Sequence, residues 1–279
     1  MPATPLDWLQ VQRGQAPLVI SFPHTGTLLP EALADDYSSP WLARRDTDWW
    51  VDHLYDFAAA LGATTVRTSV SRSVIDVNRD PSGASLYPGQ NTTGLCPLTT
   101  FDDEPLYRPG REPDTAEIAR RRTTWFDPYH TALAAEIARL RERHAAVVLY
   151  DAHSIRSRIP FLFEGELPQF NLGTAAGTSC AAALADAVET VCADSGLSHV
   201  RNGRFKGGWI TRRYGDPAAG VHALQMELAC RGYMHEPARV TPDNWPSPRD
   251  AQRAGIRPTL QRVLQACLDF ASAPQGNPA

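Results

Sequence analysis

Apolar residues fall into short runs that alternate with longer stretches of helical spacing. The runs with the length and β-branched content of strands are 18–22, 64–68, 147–150, 221–227 and, more weakly, 161–164. The stretches with the apolar spacing of helices are 47–61, 114–143, 179–195 and 248–271. Strands that alternate with helices predict an α/β protein, in which helices cover both faces of a mixed, mostly parallel sheet.

Two features interrupt this pattern. Pro128 stands inside the long helical stretch and predicts a break or kink near Asp127, because proline lacks an amide hydrogen and clashes with the preceding turn. Segment 81–113 is rich in Pro, Gly, Thr and Asp and lacks clear periodicity, so we expect a functional loop that borders the active site. Nothing resembling a linker divides the 279 residues, and we interpret 1–279 as a single domain.

Two of the apolar runs, far apart in the chain, lead directly into a histidine. His24 follows the run 18–22, and His153 follows the run 147–150. Both should lie where a strand ends and a loop begins, which is the edge at which open α/β sheets bind their ligands. Two neutral imidazoles and one carboxylate would form a catalytic zinc site with one coordination position open for water.

The carboxylate has three candidates at the start of a predicted helix: Asp46, Asp48 and Asp52. Asp46 has the position of a helix N-cap, and Asp52, one turn later, has the position of a solvated residue. We therefore choose Asp48, although Asp46 stays open as the alternative. Asp151 shares a face of the extended chain with His153 and is predicted to accept a hydrogen bond from a histidine ring nitrogen.

The segment 72–81 places Asn78 between Arg72 and the adjacent Arg79, at the start of the presumed loop. A guanidinium holds a carboxylate through two parallel hydrogen bonds, and an amide adds a directional donor. The segment is typical of an anion clamp. Salt bridges on the surface are the alternative.

A single acid, Glu227, ends the otherwise apolar run 221–227. Partial burial raises the pKa of a carboxyl group toward the range that suits a general base, so we predict that Glu227 carries protons. The alternative is a structural salt bridge to Arg231, or to Arg212 or Arg213 upstream.

Composition limits the possible partners and compartments. A net charge of -4 and a pI near 6.1 provide no basic surface for nucleic acid. Five scattered cysteines without a Cys-x-x-Cys pair fit a reducing compartment. Residues 1–8 lack the features of a signal peptide, and no apolar stretch has membrane-spanning length. We expect a cytoplasmic protein with a small-molecule substrate and no membrane partner, as a monomer or small homo-oligomer.

Several segments, taken in order, resemble the N-formylglutamate amidohydrolases. They are 22–26, 46–49, 76–81, 151–154, 202–208, 225–228 and 231–234. The family is similar in layout to zinc carboxypeptidases and aspartoacylases, whose order of site residues matches His24, Arg72, Asn78, Arg79, His153 and Glu227 here. The compact His-x-x-Glu motif of those enzymes is absent, because Thr27 occupies its last position. The acidic ligand must therefore come from further along the chain, which leaves Asp48 or Asp46.

The resemblance implies a zinc-carboxypeptidase-like fold of the phosphorylase/hydrolase type. It also implies hydrolysis of N-formyl-L-glutamate to formate and L-glutamate in histidine degradation, with one Zn²⁺ per chain or another divalent metal. Glu227 would shuttle the proton, and Arg72 would stabilise the oxyanion. Asn78 and Arg79 would bind the substrate α-carboxylate.

A second cation would then be needed for the side-chain carboxylate of the substrate. The candidates lie in the segment before Glu227, and they are Arg204, Lys206, Arg212 and Arg213. We take Arg213 as the predicted residue.

Three alternatives remain: an amidohydrolase of another N-acyl amino acid, a dicarboxylate-binding protein without turnover, and a metal-free serine or cysteine hydrolase. Ser154 beside His153 gives only weak support to the last, because neighbours in an extended chain point to opposite faces and no Gly-x-Ser-x-Gly motif occurs.

Overall fold

The computed structural model describes residues 7–84, 89, 92–245 and 247–273. The strands in this part of the chain are β1 (Leu9–Gln12), β2 (Leu18–Phe22), β3 (Thr64–Thr68), β4 (Val147–Ile155), β5 (Phe170–Gly173), β6 (His199–Arg201) and β7 (Val221–Ala229). They form one sheet in the order β1-β3-β2-β4-β7-β5-β6.

Four strands in the middle of the sheet, β3, β2, β4 and β7, run parallel to one another. β1 is antiparallel at one edge, and β5 and β6 run opposite to β7 at the other. Every residue of β2 and β4 is buried, as expected for central parallel strands that are covered on both faces. The predicted mixed, mostly parallel α/β sheet is confirmed.

Helices cover both faces of the sheet. They are α1 (Glu31–Ala34), α2 (Leu42–Arg45), α3 (Val51–Leu54), α4 (Thr115–Arg121), α5 (Asp127–Arg141), α6 (Ala182–Asp194), α7 (Trp209–Tyr214), α8 (Pro248–Gln252) and α9 (Arg257–Ser272). Side chains from α3, α6, α8 and α9 form one core with Ile20 and Tyr150, whereas α5 contributes to a second core with Val19 and Leu149. In the described part of the chain, no helix is both long enough and apolar enough to cross a membrane.

The pattern of apolar residues predicted the central strands of the sheet but not the strands toward its edges. The prediction of a strand at 161–164 is wrong, because this run forms turns and its Leu162 and Phe163 pack on a small separate core. β1, β5 and β6 escaped prediction because they are only three or four residues long. Such short strands carry too little periodicity to be recognised.

Two predicted helices are shorter than expected, and a third bends as predicted. Trp50 has a φ of 63°, so the predicted helix 47–61 begins only at Val51, as the single turn of α3, and it ends with the C-cap Tyr55 before the 3₁₀ helix Asp56–Leu61. The stretch 248–271 is split between α8 and α9. Before Pro128, the π-helical turn Arg122–Phe126 joins α4 to α5, which confirms an irregularity at the predicted place.

Gly26, in the loop that leaves β2, allows a close approach between two backbone segments. A Cβ atom at this position would clash with the backbone of Ser69 and with the carbonyl oxygen of Val70. The same contact is fixed by the Leu28 amide, which donates to the Ser69 carbonyl at 2.8 Å. The position of His24, two residues before Gly26, depends on this contact.

We expect Gly26→Ala to lower the free energy of unfolding by about 1–3 kcal/mol, because backbone atoms must shift to admit the methyl group. Urea unfolding followed by circular dichroism measures this change. Gly94→Ala is the matched control, since a Cβ atom there meets nothing within 4 Å. Equal losses in the two variants would contradict the interpretation.

Candidate metal centre and active site

His24, which follows the end of β2, and His153, which lies near the end of β4, meet Asp48 at the same edge of the sheet. Each offers a ligand atom, and these atoms lie within 4.8 Å of one another. Asp48 Oδ2 lies 3.0 Å from His153 Nδ1 and 3.7 Å from His24 Nδ1. His24 Nδ1 is buried and has no hydrogen-bond partner among the described residues. A buried nitrogen without a partner, beside a carboxylate and a second imidazole, is the donor set that fits a divalent cation such as zinc.

The second nitrogen of each imidazole is bound to a buried carboxylate. His24 Nε2 lies 2.7 Å from Asp76 Oδ1, and His153 Nε2 lies 2.9 Å from Asp151 Oδ2. Because a carboxylate accepts, each Nε2 donates its proton and each Nδ1 keeps its lone pair for the centre. The predicted contact from Asp151 is confirmed.

Asp76 was missed from the sequence. Its only signal there was an acid between Arg72 and Arg79 in a segment that we interpreted as an anion clamp.

Asp48 is held by both of the strands that bring in the histidines. Its amide donates to the His24 carbonyl at 2.9 Å, and the Ser154 amide donates to its Oδ2 at 3.2 Å. Burial alone would raise the pKa of the Asp48 carboxyl. In the metal-free site, His24 and His153 in their protonated forms outweigh burial and hold this pKa below its usual range.

Asp46 faces away from the histidines. Its Oδ2 accepts from the Phe101 amide at 2.7 Å, and its Oδ1 lies 3.6 Å from the Arg156 guanidinium. Asp52 instead pairs with Arg67 at 3.0 Å. Of the three acids in this segment, the structure brings only Asp48 to the two histidines.

Arg72 and Arg79 share one carboxylate. The Arg72 guanidinium donates to Asp76 Oδ2 at 2.7 Å and lies 3.5 Å from Asp48, with its face over the Phe101 ring. Arg79 lies 3.6 Å from the same Asp76 oxygen. Its Nε donates to the Thr93 carbonyl at 2.9 Å. The two arginines offset acids that are buried beside the candidate metal ligands.

The side chain of Asn78 has more hydrogen-bond partners within the protein than the predicted anion clamp required. Its Nδ2 donates to Asp151 Oδ2 at 3.0 Å, and its Oδ1 accepts from the Ile210 amide at 2.8 Å. Gly208 packs so closely that a Cβ atom there would lie 2.5 Å from the amide group of Asn78. Asn78 therefore joins the start of α7 to the carboxylate that orients His153.

Glu227 lies beside His153, because the two residues are partners in the register of β7 and β4. Burial raises the pKa of its carboxyl group to about 8. Its Oε2 accepts from Gln225 Nε2 at 3.0 Å, while Gln225 Oε1 accepts from the Gly208 amide. Sequence reasoning missed Gln225, whose signal was its position two residues before Glu227 on the same face of the strand.

The predicted salt-bridge alternative for Glu227 is wrong. Among the described residues, Arg231 pairs with Glu166 at 3.3 Å, and no ion pair joins Glu227 to an arginine.

One cavity is lined by most of the candidate residues, though not by Asp48. Its lining comprises His24, Arg72, Asn78, Arg79, Thr92, Thr93, Phe101, His153, Ile155, Leu162, Arg204, Phe205, Gly208, Gln225 and Glu227. Thr92, Thr93 and Phe101 belong to segment 81–113. Residues 85–88, 90 and 91 of that segment lie outside the described residues.

The structure does not bring Arg213 to this cavity, which corrects the prediction for that residue. Arg213 is exposed on α7 and its guanidinium lies over the Tyr214 ring. Lys206 and Arg212 are also exposed. Arg204, in the bend between β6 and α7, lines the cavity instead.

Ser154, the serine of the metal-free alternative, points away from the cavity. Its Oγ accepts from the Tyr233 hydroxyl at 2.7 Å, and that hydroxyl also lies 2.8 Å from the Trp49 carbonyl. Ser154 is not part of the cavity lining in the described structure.

The family model of the N-formylglutamate amidohydrolases matches residues 16–234. The chain belongs to the N-formylglutamate amidohydrolase family. Among its relatives, the N-formylglutamate deformylase of Pseudomonas aeruginosa is 48% identical over 257 residues, which are 92% of this chain and 96% of that protein. The N-formylglutamate deformylase of Pseudomonas putida is 50% identical over 261 residues, which are 93% and 95%.

Solved structures agree with this membership. The N-formylglutamate amidohydrolase of Ralstonia eutropha JMP134 matches with a TM-score of 0.72 and 27% identity, over 94% of this chain and 96% of that one. The gene product Atu2144 of Agrobacterium tumefaciens matches with a TM-score of 0.70 and 18% identity, over 94% and 95%. The second match supports the fold alone.

In this member of the N-formylglutamate amidohydrolase family, His130 of α5 binds the backbone of the segment that contains Asn78. Its Nε2 donates to the Val77 carbonyl at 2.8 Å, and its Nδ1 lies 2.9 Å from the Tyr214 hydroxyl. Burial lowers the pKa of His130 to about 4. The histidine is therefore neutral while it connects α5, α7 and the residue before Asn78.

The unfolded chain protonates His130 near pH 6.5, whereas the folded chain resists protonation until about pH 4. The stability contributed by the neutral form is present above pH 6.5 and is lost as the pH falls toward 4. The free energy of unfolding should fall between pH 7 and pH 4.5. We expect this fall to be about 2 kcal/mol smaller in His130→Gln than in the unsubstituted protein. Urea unfolding at both pH values measures this. His199→Gln, at an exposed histidine, is the control, and an identical pH dependence in both variants would contradict the expectation.

Proposed function

We propose that this chain hydrolyses N-formyl-L-glutamate to formate and L-glutamate, using a divalent metal, preferably zinc, held by His24, Asp48 and His153. One observation supports this most directly. His24 Nδ1, which is buried and has no hydrogen-bond partner among the described residues, lies within 4.8 Å of ligand atoms of Asp48 and His153, and His24, His153 and the buried Glu227 line one cavity, in a chain that is 48% to 50% identical to proteins named N-formylglutamate deformylase.

The donor set fits zinc, which uses nitrogen and oxygen ligands and keeps one position open in catalytic sites. When bound, zinc polarises a carbonyl oxygen and lowers the pKa of water toward about 7. The hydrogen bonds that the two Nε2 atoms donate to Asp76 and Asp151 support this assignment, because they leave Nδ1 of each imidazole available as a ligand.

Glu227 transfers the proton in this proposal. Its carboxylate accepts a proton from the attacking water and delivers it to the amide nitrogen as the C–N bond breaks, so L-glutamate leaves with a neutral amine. Burial supports this role, since it raises the pKa of Glu227 to about 8 and makes transfer in both directions accessible near neutral pH. The hydrogen bond from Gln225 restricts the carboxylate to one orientation.

The arginines orient the substrate and stabilise charge. Arg72 lies 3.5 Å from Asp48 and lines the cavity, so its guanidinium stabilises the negative charge that develops on the formyl oxygen. Arg79 binds the α-carboxylate, and Asn78 contributes from the neighbouring position. Fixing the α-carboxylate orients the formyl group and reduces the entropy that is lost on reaction.

The resemblance supports a role in histidine degradation. The five free, buried cysteines support a cytoplasmic location.

Two other functions are weaker. A dicarboxylate-binding protein would not need Glu227. Its buried carboxylate lowers the stability of the protein when it is charged beside the candidate ligands. An amidohydrolase of another N-acyl amino acid would keep the same centre, but the two named relatives point to the formyl substrate.

The ligand assignment predicts metal content. We expect the parent protein to retain about one zinc per chain after dialysis, because three ligands converge on one site. Asp48→Ala should lose most of this zinc, whereas Asp46→Ala should keep it. Elemental analysis of the dialysed proteins measures the difference, and loss of zinc in Asp46→Ala alone would overturn the assignment.

The role of Glu227 predicts a separation of metal binding from turnover. Glu227→Gln should lower the rate of formate release from N-formyl-L-glutamate by about 10²- to 10⁴-fold, since it removes the proton carrier, with zinc content unchanged. Glu166→Gln, at an exposed glutamate, is the control and should turn over normally. Formate is measured with a coupled dehydrogenase assay. Undiminished formate release by Glu227→Gln would reject the mechanism.

A further inference from the structure

A tight turn brings the ring of Phe101 into the wall of the active-site cavity. The Asp103 amide donates to the Thr100 carbonyl at 3.0 Å, and the Thr100 amide donates to the Glu104 carbonyl at 2.9 Å. Asp103 has a φ of 62°, a left-handed conformation that aspartate tolerates better than most residues. Phe101, inside this turn, is buried and lines the cavity together with Arg72.

The Phe101 ring shields the guanidinium of Arg72. The guanidinium carbon lies 4.9 Å from the centre of the ring, a distance at which an aromatic face attracts a cation. Two nitrogens of the same guanidinium contact acids, at 2.7 Å from Asp76 and 3.5 Å from Asp48. The acids hold the nitrogens and the ring covers the group from another side, so together they restrict where its positive charge lies.

Asp46 connects Phe101 to the segment that carries the candidate metal ligand Asp48. Its Oδ2 accepts from the Phe101 amide at 2.7 Å. A hydrogen bond to an ionised acceptor is stronger than one between neutral groups, and this carboxylate is mostly buried. The backbone of Phe101 is therefore held in place by a residue two positions before Asp48.

Two arginines hold the outer side of the same turn. Arg45 Nη2 donates to Thr100 Oγ1 at 2.6 Å and lies 3.0 Å from Asp102. Arg156, the residue after β4, lies 2.8 Å from Asp102. These contacts hold the residues on either side of Phe101, whereas Asp46 holds Phe101 itself. The turn keeps these attachments when the bond to Asp46 is removed, which makes a selective test possible.

We propose that Asp46 is a positioning residue that holds Phe101 against Arg72, so that the guanidinium stays fixed and shielded from water. This inference rests on the proposed function, in which Arg72 stabilises the charge that develops on the formyl oxygen. Fixed charge in a site that excludes water stabilises a developing negative charge more than mobile, solvated charge does. Loss of the positioning should therefore lower the rate of reaction more than it weakens substrate binding.

Two substitutions of Asp46 separate its hydrogen bond from its charge. Asp46→Asn keeps an oxygen that accepts from the Phe101 amide, whereas Asp46→Ala has no acceptor. With N-formyl-L-glutamate, Asp46→Ala should lower kcat about 10-fold and change KM less than about threefold, with zinc content unchanged. Asp46→Asn should keep at least about half of the parent kcat. Asp52→Ala, at an acid of the same segment that pairs with Arg67, is the matched control and should equal the parent.

Substitution of Phe101 tests the second link. Phe101→Leu keeps an apolar side chain but has no aromatic face, so it should also lower kcat about 10-fold. In the Phe101→Leu background, Asp46→Ala should cause less than about a twofold further loss, because both substitutions interrupt the same chain of contacts. If Asp46→Ala does not fold, which thermal unfolding detects, Phe101→Leu decides the question, since a kcat equal to that of the parent would reject the proposal.

Fluorine NMR follows the ring without turnover. With 4-fluorophenylalanine at position 101 of the zinc-loaded protein, the fluorine signal should have the same chemical shift in the parent and in Asp46→Asn. In Asp46→Ala it should move by more than its linewidth, because the ring loses its fixed position beside Arg72.

Equal losses of kcat in Asp46→Asn and Asp46→Ala would overturn the proposal, because the charge of Asp46 and not its hydrogen bond would then matter. Additive losses in the double variant would also overturn it. If the parent released no formate but the signal moved only in Asp46→Ala, the proposed reaction would fail and the positioning of Phe101 would stand. If formate were released and the signal stayed unchanged in Asp46→Ala, only the positioning proposal would fail.

Discussion

Hydrogen bonds between two imidazoles and two buried carboxylates organise this site. A buried carboxylate is costly unless it is paired, and a histidine ligand is useful only when its tautomer and ring angle are fixed. The pairs His24–Asp76 and His153–Asp151 meet both requirements at once. Asp151 in turn accepts from the Ser21 hydroxyl at 2.8 Å, so the network reaches into the sheet itself.

The sheet explains why such distant residues meet. β2 and β4 are adjacent parallel strands, so His24, just after β2, and His153, near the end of β4, lie at the same edge, and the register of β4 with β7 adds Glu227. This part of the site was predictable, because apolar runs reveal central strands and parallel strands share an edge. Asp48 followed from the presence of an acid near a predicted helix start.

The remaining features depended on how loops direct their side chains, and periodicity carries no such information. Asp76 and Gln225 were missed because their functions arise from their partners, which come from other segments. Arg213 was preferred over Arg204 because both precede Glu227, and only the six-residue helix α7 shows which of the two turns outward. The run 161–164 was mistaken for a strand because a small apolar core in a loop has the same composition as a buried strand.

Asp76 has a consequence for cooperativity. One of its oxygens accepts from His24 Nε2 and the other from Arg72, while Arg79 lies 3.6 Å away. A cation that draws electron density from His24 and an anion that attracts the arginines both alter the hydrogen bonds of this one carboxylate. If both bind, their affinities would therefore be linked, and linkage is reciprocal: the factor by which the cation changes the affinity for the anion equals the factor by which the anion changes the affinity for the cation.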